Sequence, residues 1–230
     1  MFKRILAITA LAVVLSGCSS IKNIFGNDKD DEKPTDPAEL VDFTPTATVT
    51  KLWSASAGKG ENRLGVRQGP QISDGRVYAA AVEGGVRAFD LQTGSVAWNY
   101  DSDLRLSGGP GVGDGLVVVG SLDGHVIALD AATGAEKWQA KVPSEVITAP
   151  TIGQGLVLVR SNDGRVSAFD AASGERRWFY NKDLPSLTVR GNASVTLGPG
   201  IAFVNNDDGT LSAMSLTDGR LMWSQSVGLP

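Results

Sequence analysis

Few side chains in this sequence have the type and spacing needed for chemistry. Asp90, Asp130 and Asp170 recur every 40 residues, and His125 is the sole histidine, so these are the first candidates for acid–base catalysis. Aspartates that recur once in each copy of a repeat occupy the same structural position in every copy. A turn role for the three aspartates and a surface position for His125 are therefore favoured over a converging catalytic set.

A second candidate is the acidic cluster Asn206-Asp207-Asp208-Gly209, whose oxygens could bind calcium. Calcium loops space their oxygen ligands and end in a distal acid, and that pattern is missing. Asp208-Gly209, like Asp123-Gly124 and Asp163-Gly164, has the composition of a two-residue β-hairpin turn with positive φ. No phosphate loop, nucleophile elbow or zinc spacing occurs, so neither a metal nor a cofactor is predicted.

The only cysteine, Cys18, has a different chemistry. A positively charged start is followed by an apolar run, Ile5 to Leu15, which is too short to span a bilayer as a mature helix and is typical of a signal peptide. Leu15-Ser16-Gly17-Cys18 resembles the bacterial lipobox, which implies cleavage after residues 1–17 and acylation of the Cys18 thiol. The alternative is an unmodified cysteine after an ordinary secretory signal.

Residues 18–46 are polar and interrupted by prolines, which predicts a lipidated N-terminus and a flexible tether. Its charged run at 28–33 fits a solvated linker better than a cation or partner site. Removal of Lys3 and Arg4 with the signal leaves 19 basic and 25 acidic residues, a balance of −6 that argues against nucleic acid. Ser19, directly after the cysteine, resembles the residue found at this position in lipoproteins that are sorted to the outer membrane. This resemblance implies that the protein is anchored in the outer membrane and faces the periplasm.

The elements that carry these residues form a repeat of 40 residues. Each copy has short runs of alternating apolar and polar residues separated by glycine turns, which predicts about four strands. The copies share Ala-x-Asp-x-x-Thr/Ser-Gly-x-x-x-Trp, found at Ala88–Trp98, Ala128–Trp138 and Ala168–Trp178. This signature resembles the quinoprotein repeat, in which the Asp and Gly form a turn and the Trp is buried between blades. The predicted class is all-β, a β-propeller of four-stranded blades over residues 47–230.

Trp53 is predicted to lie on an outer strand that lacks the other three strands of its blade, and a fourth repeat ends at Trp223. Because four blades with a stray strand would leave apolar faces exposed, we expect a fragment of a protein with about eight blades. The competing interpretation is that two chains meet to close one ring.

Function in propellers lies in the connections between strands, and two intervals between tryptophans are longer than the others. Trp53 to Trp98 and Trp178 to Trp223 each span 45 residues instead of 40. The first addition surrounds residues 58–63, and the second lies in residues 183–191. The second combines Leu184, Leu187 and Val189 with Arg190, side chains typical of protein interfaces. Packing against a neighbouring blade explains the same residues equally well.

Five features are considered together: the lipobox, the proline-bearing tether, Asp42-Phe43-Thr44-Pro45, the blades and the stretch Pro185-Ser186-Leu187-Thr188-Val189-Arg190-Gly191. This combination resembles the quinoprotein-type propeller lipoprotein family of the outer-membrane β-barrel assembly (BAM) machinery. The resemblance covers essentially the whole chain, which would correspond to the N-terminal half of such a protein. It implies a non-catalytic scaffold in which Leu187, Val189 and Arg190 contact the POTRA domains of the barrel-forming subunit. Val189 stands where the family has Leu. The family has also been proposed to guide nascent outer-membrane proteins.

Two other functions remain open on the sequence. A periplasmic quinoprotein dehydrogenase shares the blade signature, but it requires a cofactor clamp, calcium ligands and commonly an adjacent cysteine pair, which this chain lacks. A generic envelope lipoprotein propeller that binds another partner fits every compositional fact, and only the stretch at residues 184–191 distinguishes it from the BAM family.

Overall fold

A computed structural model describes residues 41–60, 65–66, 68–188 and 193–228. The chain divides into two units, Met1–Val49 and Thr50–Pro230. In the first unit the described residues, 41–49, are exposed and have no strand. The second unit contains all the strands. No helix in the described part of the chain has the length and apolar character needed to cross a membrane.

The second unit consists of sixteen strands in four sheets of four. The strands of the first two sheets are β1 (Gln71–Ser73), β2 (Arg76–Ala81), β3 (Gly85–Asp90), β4 (Val96–Tyr100), β5 (Leu106–Gly113), β6 (Leu116–Ser121), β7 (His125–Asp130) and β8 (Glu136–Lys141). Those of the last two are β9 (Thr151–Gly153), β10 (Leu156–Arg160), β11 (Val166–Asp170), β12 (Arg176–Tyr180), β13 (Thr196–Gly198), β14 (Ile201–Asn205), β15 (Thr210–Ser215) and β16 (Leu221–Ser226).

Every sheet is an antiparallel meander in which strands pair in chain order, so each repeat makes one sheet. The first strands of successive sheets, β1, β5, β9 and β13, lie beside one another. Placing the first strand inside and the fourth outside is the arrangement of propeller blades. The predicted all-β propeller fold and the four complete blades are confirmed.

The signature turns have the predicted structure. In the second blade, the Asp130 carboxylate accepts hydrogen bonds from the backbone N–H groups of Ala132 and Thr133, at 3.0 and 2.9 Å, and from the Thr133 hydroxyl at 3.0 Å. Gly134 completes the turn with φ of +75°. Asp90 and Asp170 make the equivalent bonds, which explains why aspartate recurs at this position.

Each signature tryptophan docks on the turn of the following blade. The indole N–H of Trp98 donates to the Ala131 carbonyl at 3.0 Å, and its ring covers Gly134, where a Cβ would lie 2.6 Å from the ring. Trp138 and Trp178 make the same contacts one and two blades later, and all three are 8% exposed. The apolar core therefore lies between blades and joins each blade to the next.

Trp53 makes this contact too, since it donates to the Leu91 carbonyl at 2.9 Å and covers Gly94. The predicted outer strand at Trp53 is not seen, since the described residues 50–57 form no strand. At the other end, Trp223 packs against Phe203 with the two rings tilted by 50°, and it is 44% exposed.

The predicted two-residue hairpins are also corrected. At Asp123-Gly124 the connection has three residues, because Gly124 N–H bonds to the Ser121 carbonyl and only the glycine has positive φ. The turns at Asp163-Gly164 and Asp208-Gly209 are of the same kind. Two-residue turns with positive φ at both positions occur instead at Asp74-Gly75 and Asp114-Gly115.

Candidate functional site

The connection between the third and fourth blades, residues 181–195, carries the predicted contact residues. It is longer than the equivalent connection between the second and third blades, residues 142–150. Leu187 lies in it with 88% of its surface exposed. Val189 and Arg190 lie outside the described residues. We call residues 181–188 the Leu187 segment.

The first end of the Leu187 segment is held by the turn between β14 and β15. Lys182 Nζ lies 2.8 Å from Asp208 Oδ2 and donates a hydrogen bond of 2.5 Å to Thr210 Oγ1. Leu184 lies over Gly164, where a Cβ would come within 2.9 Å of both Leu184 Cδ2 and the Lys182 carbonyl oxygen. The segment therefore runs directly along the hairpin turns of two blades.

The second end is held by a carboxylate with two partners. Thr188 Oγ1 donates to Asp207 Oδ2 at 2.9 Å, and Asp207 Oδ1 lies 3.1 Å from Nη2 of Arg160. The Arg160 side chain is only 2% exposed, and its Nη1 donates to the carbonyls of Asn205 at 2.5 Å and Ala193 at 3.4 Å. One guanidinium on the third blade thus binds the turn of the fourth blade and the Ala193 carbonyl of the connection.

The electrostatics of these two anchors differ. Partial burial alone would raise the pKa of Asp208, but hydrogen bonds from Lys182 and Thr210 outweigh it and lower the pKa to about 2. Burial lowers the pKa of Arg160, and the charge and hydrogen bond of Asp207 oppose that shift. Asp208 is therefore ionised near neutral pH.

Between these anchors the two leucines have different surroundings, which separates the two interpretations made from the sequence. Leu184 is half-buried against Gly164 and packs on a neighbouring blade. Leu187 is exposed, so packing within the described part of the chain does not explain it. An exposed leucine on an anchored segment can insert into an apolar pocket of another protein.

The residues considered for catalysis have structural environments. Hydrogen bonds from Thr93, first its N–H and then its hydroxyl, lower the pKa of Asp90, and corresponding bonds act on Asp130 and Asp170. The backbone N–H of His125 donates to Ser121 Oγ at 2.9 Å at the start of β7, where the residue is partly buried. Within the described ranges, no three His, Cys, Asp or Glu side chains are grouped so that they could hold a metal.

The other predicted sites are described less completely. In the first longer connection, Lys59 forms a backbone bridge with Glu83 and its Nζ lies 3.4 Å from the Glu83 carboxylate. Residues 61–64 of that connection lie outside the described residues. So do Cys18 and the signal peptide, residues 1–17, together with most of the tether.

Sequence reasoning missed the anchoring residues Arg160 and Asp207. The available signal is their departure from the repeat. Arg160 stands where the second blade has Gly120, and Asp207 stands where the second and third blades have Leu122 and Asn162. A charge at a position that is uncharged in the neighbouring copies indicates a local role rather than a contribution to the blade.

Comparison with known proteins identifies a family whose sequence model matches this chain. A model of the family described as "Outer membrane protein assembly factor BamB" matches residues 36–105 and 83–230. A protein of that name from Xanthomonas campestris is 57% identical over 101 residues, which are 44% of this chain and 25% of the relative. The matched part of this chain therefore spans about a quarter of that relative's length.

Solved structures agree on the fold. The crystal structure of BamB from Moraxella catarrhalis superimposes with a TM-score of 0.65 at 30% identity, over 73% of this chain and 50% of that one. Quinohemoprotein alcohol dehydrogenase from Comamonas testosteroni superimposes with a TM-score of 0.57 over 74% of this chain and 35% of that one. Its identity is only 22%, so this second similarity shows a shared propeller fold alone.

Proposed function

The chain belongs to the family of the outer membrane protein assembly factor BamB, and from this premise we propose that it is a non-catalytic scaffold in the assembly of outer-membrane β-barrel proteins. In this proposal the Leu187 segment contacts the POTRA domains of the barrel-forming subunit. Nascent outer-membrane proteins are its transient clients. The family supports the general role, and the POTRA contact is the more specific part of the proposal.

The exposure of Leu187 is the observation that carries the contact. Its side chain is 88% exposed although both ends of its segment are anchored to neighbouring blades. Burying a leucine side chain fully in a partner contributes about 1.5–3 kcal/mol, which is the scale of an interface hot spot. Val189 and Arg190 are proposed to contribute to the same contact, as the family resemblance implies.

A non-catalytic role is supported by what the aspartates do. The carboxylates of Asp90, Asp130 and Asp170 accept the backbone and hydroxyl hydrogen bonds that form the signature turns. The relative from Xanthomonas campestris is likewise named as an assembly factor. The similarity to the dehydrogenase concerns the fold and favours no reaction.

We place the protein at the outer membrane, facing the periplasm, through acylation of Cys18. More than one acyl chain is needed for a stable anchor, and a triacylated cysteine would supply them. Changing Cys18→Ser should move the protein from the outer-membrane fraction to the soluble periplasmic fraction. A variant that stays with the outer membrane would contradict the anchor.

Binding of the full-length native protein to immobilised POTRA domains tests the contact. Leu187→Ala is compared with Leu52→Ala, which truncates a leucine that is 77% exposed elsewhere in the second unit. We expect Leu187→Ala to weaken binding by about tenfold or more and Leu52→Ala to leave it unchanged. Circular dichroism confirms that both variants are folded.

The outcomes separate the alternatives left open by the sequence. If the wild type does not bind POTRA domains, the protein is a propeller with another envelope partner. If Leu187→Ala binds as well as the wild type, the partner is correct but the contact surface lies elsewhere.

A further inference from the structure

The contacts that hold the Leu187 segment belong to one junction and not to the repeat. Lys182 stands where the second blade has Val142, in addition to the departures at Arg160 and Asp207. The corresponding hairpin in the second blade has Asp123, which lies 3.9 Å from Arg105 with both side chains more than half exposed. The closer and better buried ion pairs therefore lie where the longer connection crosses the hairpin turns.

The two pairs act on opposite ends of the same short segment. Lys182 binds Asp208, and Thr188 binds Asp207, so consecutive aspartates of one turn hold residues that are six positions apart. Leu187 directly precedes the second anchored residue. Its exposure is thus combined with side-chain anchors at Lys182 and at Thr188.

Arg160 fixes the position of Asp207. The carboxylate uses one oxygen for the guanidinium and the other for the Thr188 hydroxyl. A surface aspartate can rotate freely, whereas this one is held by a guanidinium that is itself 2% exposed and bound to the Asn205 carbonyl. Because the pair is withdrawn from water, salt screens it far less than a surface pair.

We propose that Arg160, Asp207 and the Lys182–Asp208 pair are positioning residues, which order the Leu187 segment before it meets its partner. An ordered segment loses less conformational freedom on binding than a free one and so binds more tightly. The consequence for affinity rests on the proposed POTRA contact. The ordering of the segment does not, because it is a property of the free protein.

Spin labelling measures that ordering directly. In full-length protein carrying Cys18→Ser, Leu187→Cys introduces an exposed thiol for a nitroxide label. We expect Asp207→Asn combined with Asp208→Asn to narrow the electron paramagnetic resonance spectrum, because the label gains motion. The matched control is Asp123→Asn in the second blade, which occupies the position equivalent to Asp208 and should leave the spectrum unchanged.

A milder variant covers the case in which loss of Asp207 disturbs folding. Thr188→Val removes only the hydroxyl that reaches Asp207 and retains the Arg160–Asp207 pair. We expect the label to gain motion in this variant also. An unchanged spectrum in both Thr188→Val and the folded double variant overturns the proposal.

Affinity for POTRA domains is then measured without the label. The double variant should bind about threefold to tenfold more weakly, the effect of having to order one or two side chains on binding. If Leu187→Ala also loses binding, positioning and contact are both supported. If Leu187→Ala binds normally while the label gains motion, the proposed contact fails and the ordering stands. If the label gains motion in the double variant but the double variant binds as tightly as the wild type, while Leu187→Ala weakens binding, the role of ordering in affinity is refuted.

Discussion

The junction between blades makes one mutation unusually informative: Gly134→Ala. Gly134 has φ of +75°, and a Cβ there would lie 2.6 Å from Cδ2 of Trp98. Carbon atoms pack at about 3.5–4.0 Å, so the indole must move by roughly 1 Å. That movement strains or breaks the hydrogen bond of 3.0 Å from Trp98 to the Ala131 carbonyl.

Three contributions set the expected cost. An alanine in the left-handed region costs about 1–2 kcal/mol. Overpacking against the ring adds about 1–3 kcal/mol, and the lost hydrogen bond adds about 1 kcal/mol. Reduced freedom of the unfolded chain offsets about 0.4–1 kcal/mol of this. Gly134→Ala should therefore lower the free energy of unfolding by about 2–6 kcal/mol.

Gly115→Ala is the matched control in the same blade. Gly115 also has φ of +75°, but a Cβ there would meet nothing within 4 Å. Its cost is restricted to backbone strain, about 1 kcal/mol after the unfolded-state contribution. Urea denaturation followed by circular dichroism measures both. Equal urea midpoints for Gly134→Ala and Gly115→Ala would refute the idea that the docked Trp98 requires glycine at position 134.

The ion pair, the docked tryptophans and the signature turn each give one further prediction. Asp207→Ala leaves the buried guanidinium of Arg160 without its charged partner and should lower the free energy of unfolding, measured by urea denaturation, by about 3–5 kcal/mol. Adding Arg160→Met to this variant should recover part of that loss. Additive losses from the two substitutions would contradict the pairing. Trp178→Phe removes a hydrogen bond of 2.8 Å to the Leu216 carbonyl and should cost about 1–2 kcal/mol in the same assay; an unchanged urea midpoint would contradict the junction. Hydrogen bonds lower the pKa of Asp130 below its ordinary 3.8, so the stability that Asp130 contributes is present above pH 3.8 and is lost as the pH falls through the folded-state pKa. Asp130→Asn should therefore flatten the acid side of a plot of urea midpoint against pH. An unchanged acid side would contradict the role of those bonds.

The blades could be predicted because their determinants are local and repeated. Aspartate, glycine and tryptophan at fixed offsets specify a turn and the residue that covers the next one, and each copy confirms the others. Hairpin geometry was predicted less well. Asp123-Gly124 and Asp114-Gly115 are the same dipeptide, yet they form different turns, because Ser121 Oγ accepts the N–H groups of Asp123 and His125 and favours a longer connection.

The site was predictable only in outline. The length of the connection and the composition around Leu187 indicated a contact surface. The ion pair between Arg160 and Asp207 joins residues 47 positions apart in different blades, and no local pattern specifies that distance. It could be suspected only by aligning the repeats and asking which copy carries an extra charge.

The forward docking of each tryptophan has a consequence for how the protein can change. Interactions between blades are nearest-neighbour couplings, so the energetics approximate a linear chain in which a perturbation at one junction is felt by two blades. The connection of residues 181–195 leaves the Trp178 contact with Gly219 and Leu216 intact although it is longer than its counterpart. A new binding loop can therefore be inserted at one junction without altering the others, which makes each connection an independent unit of variation.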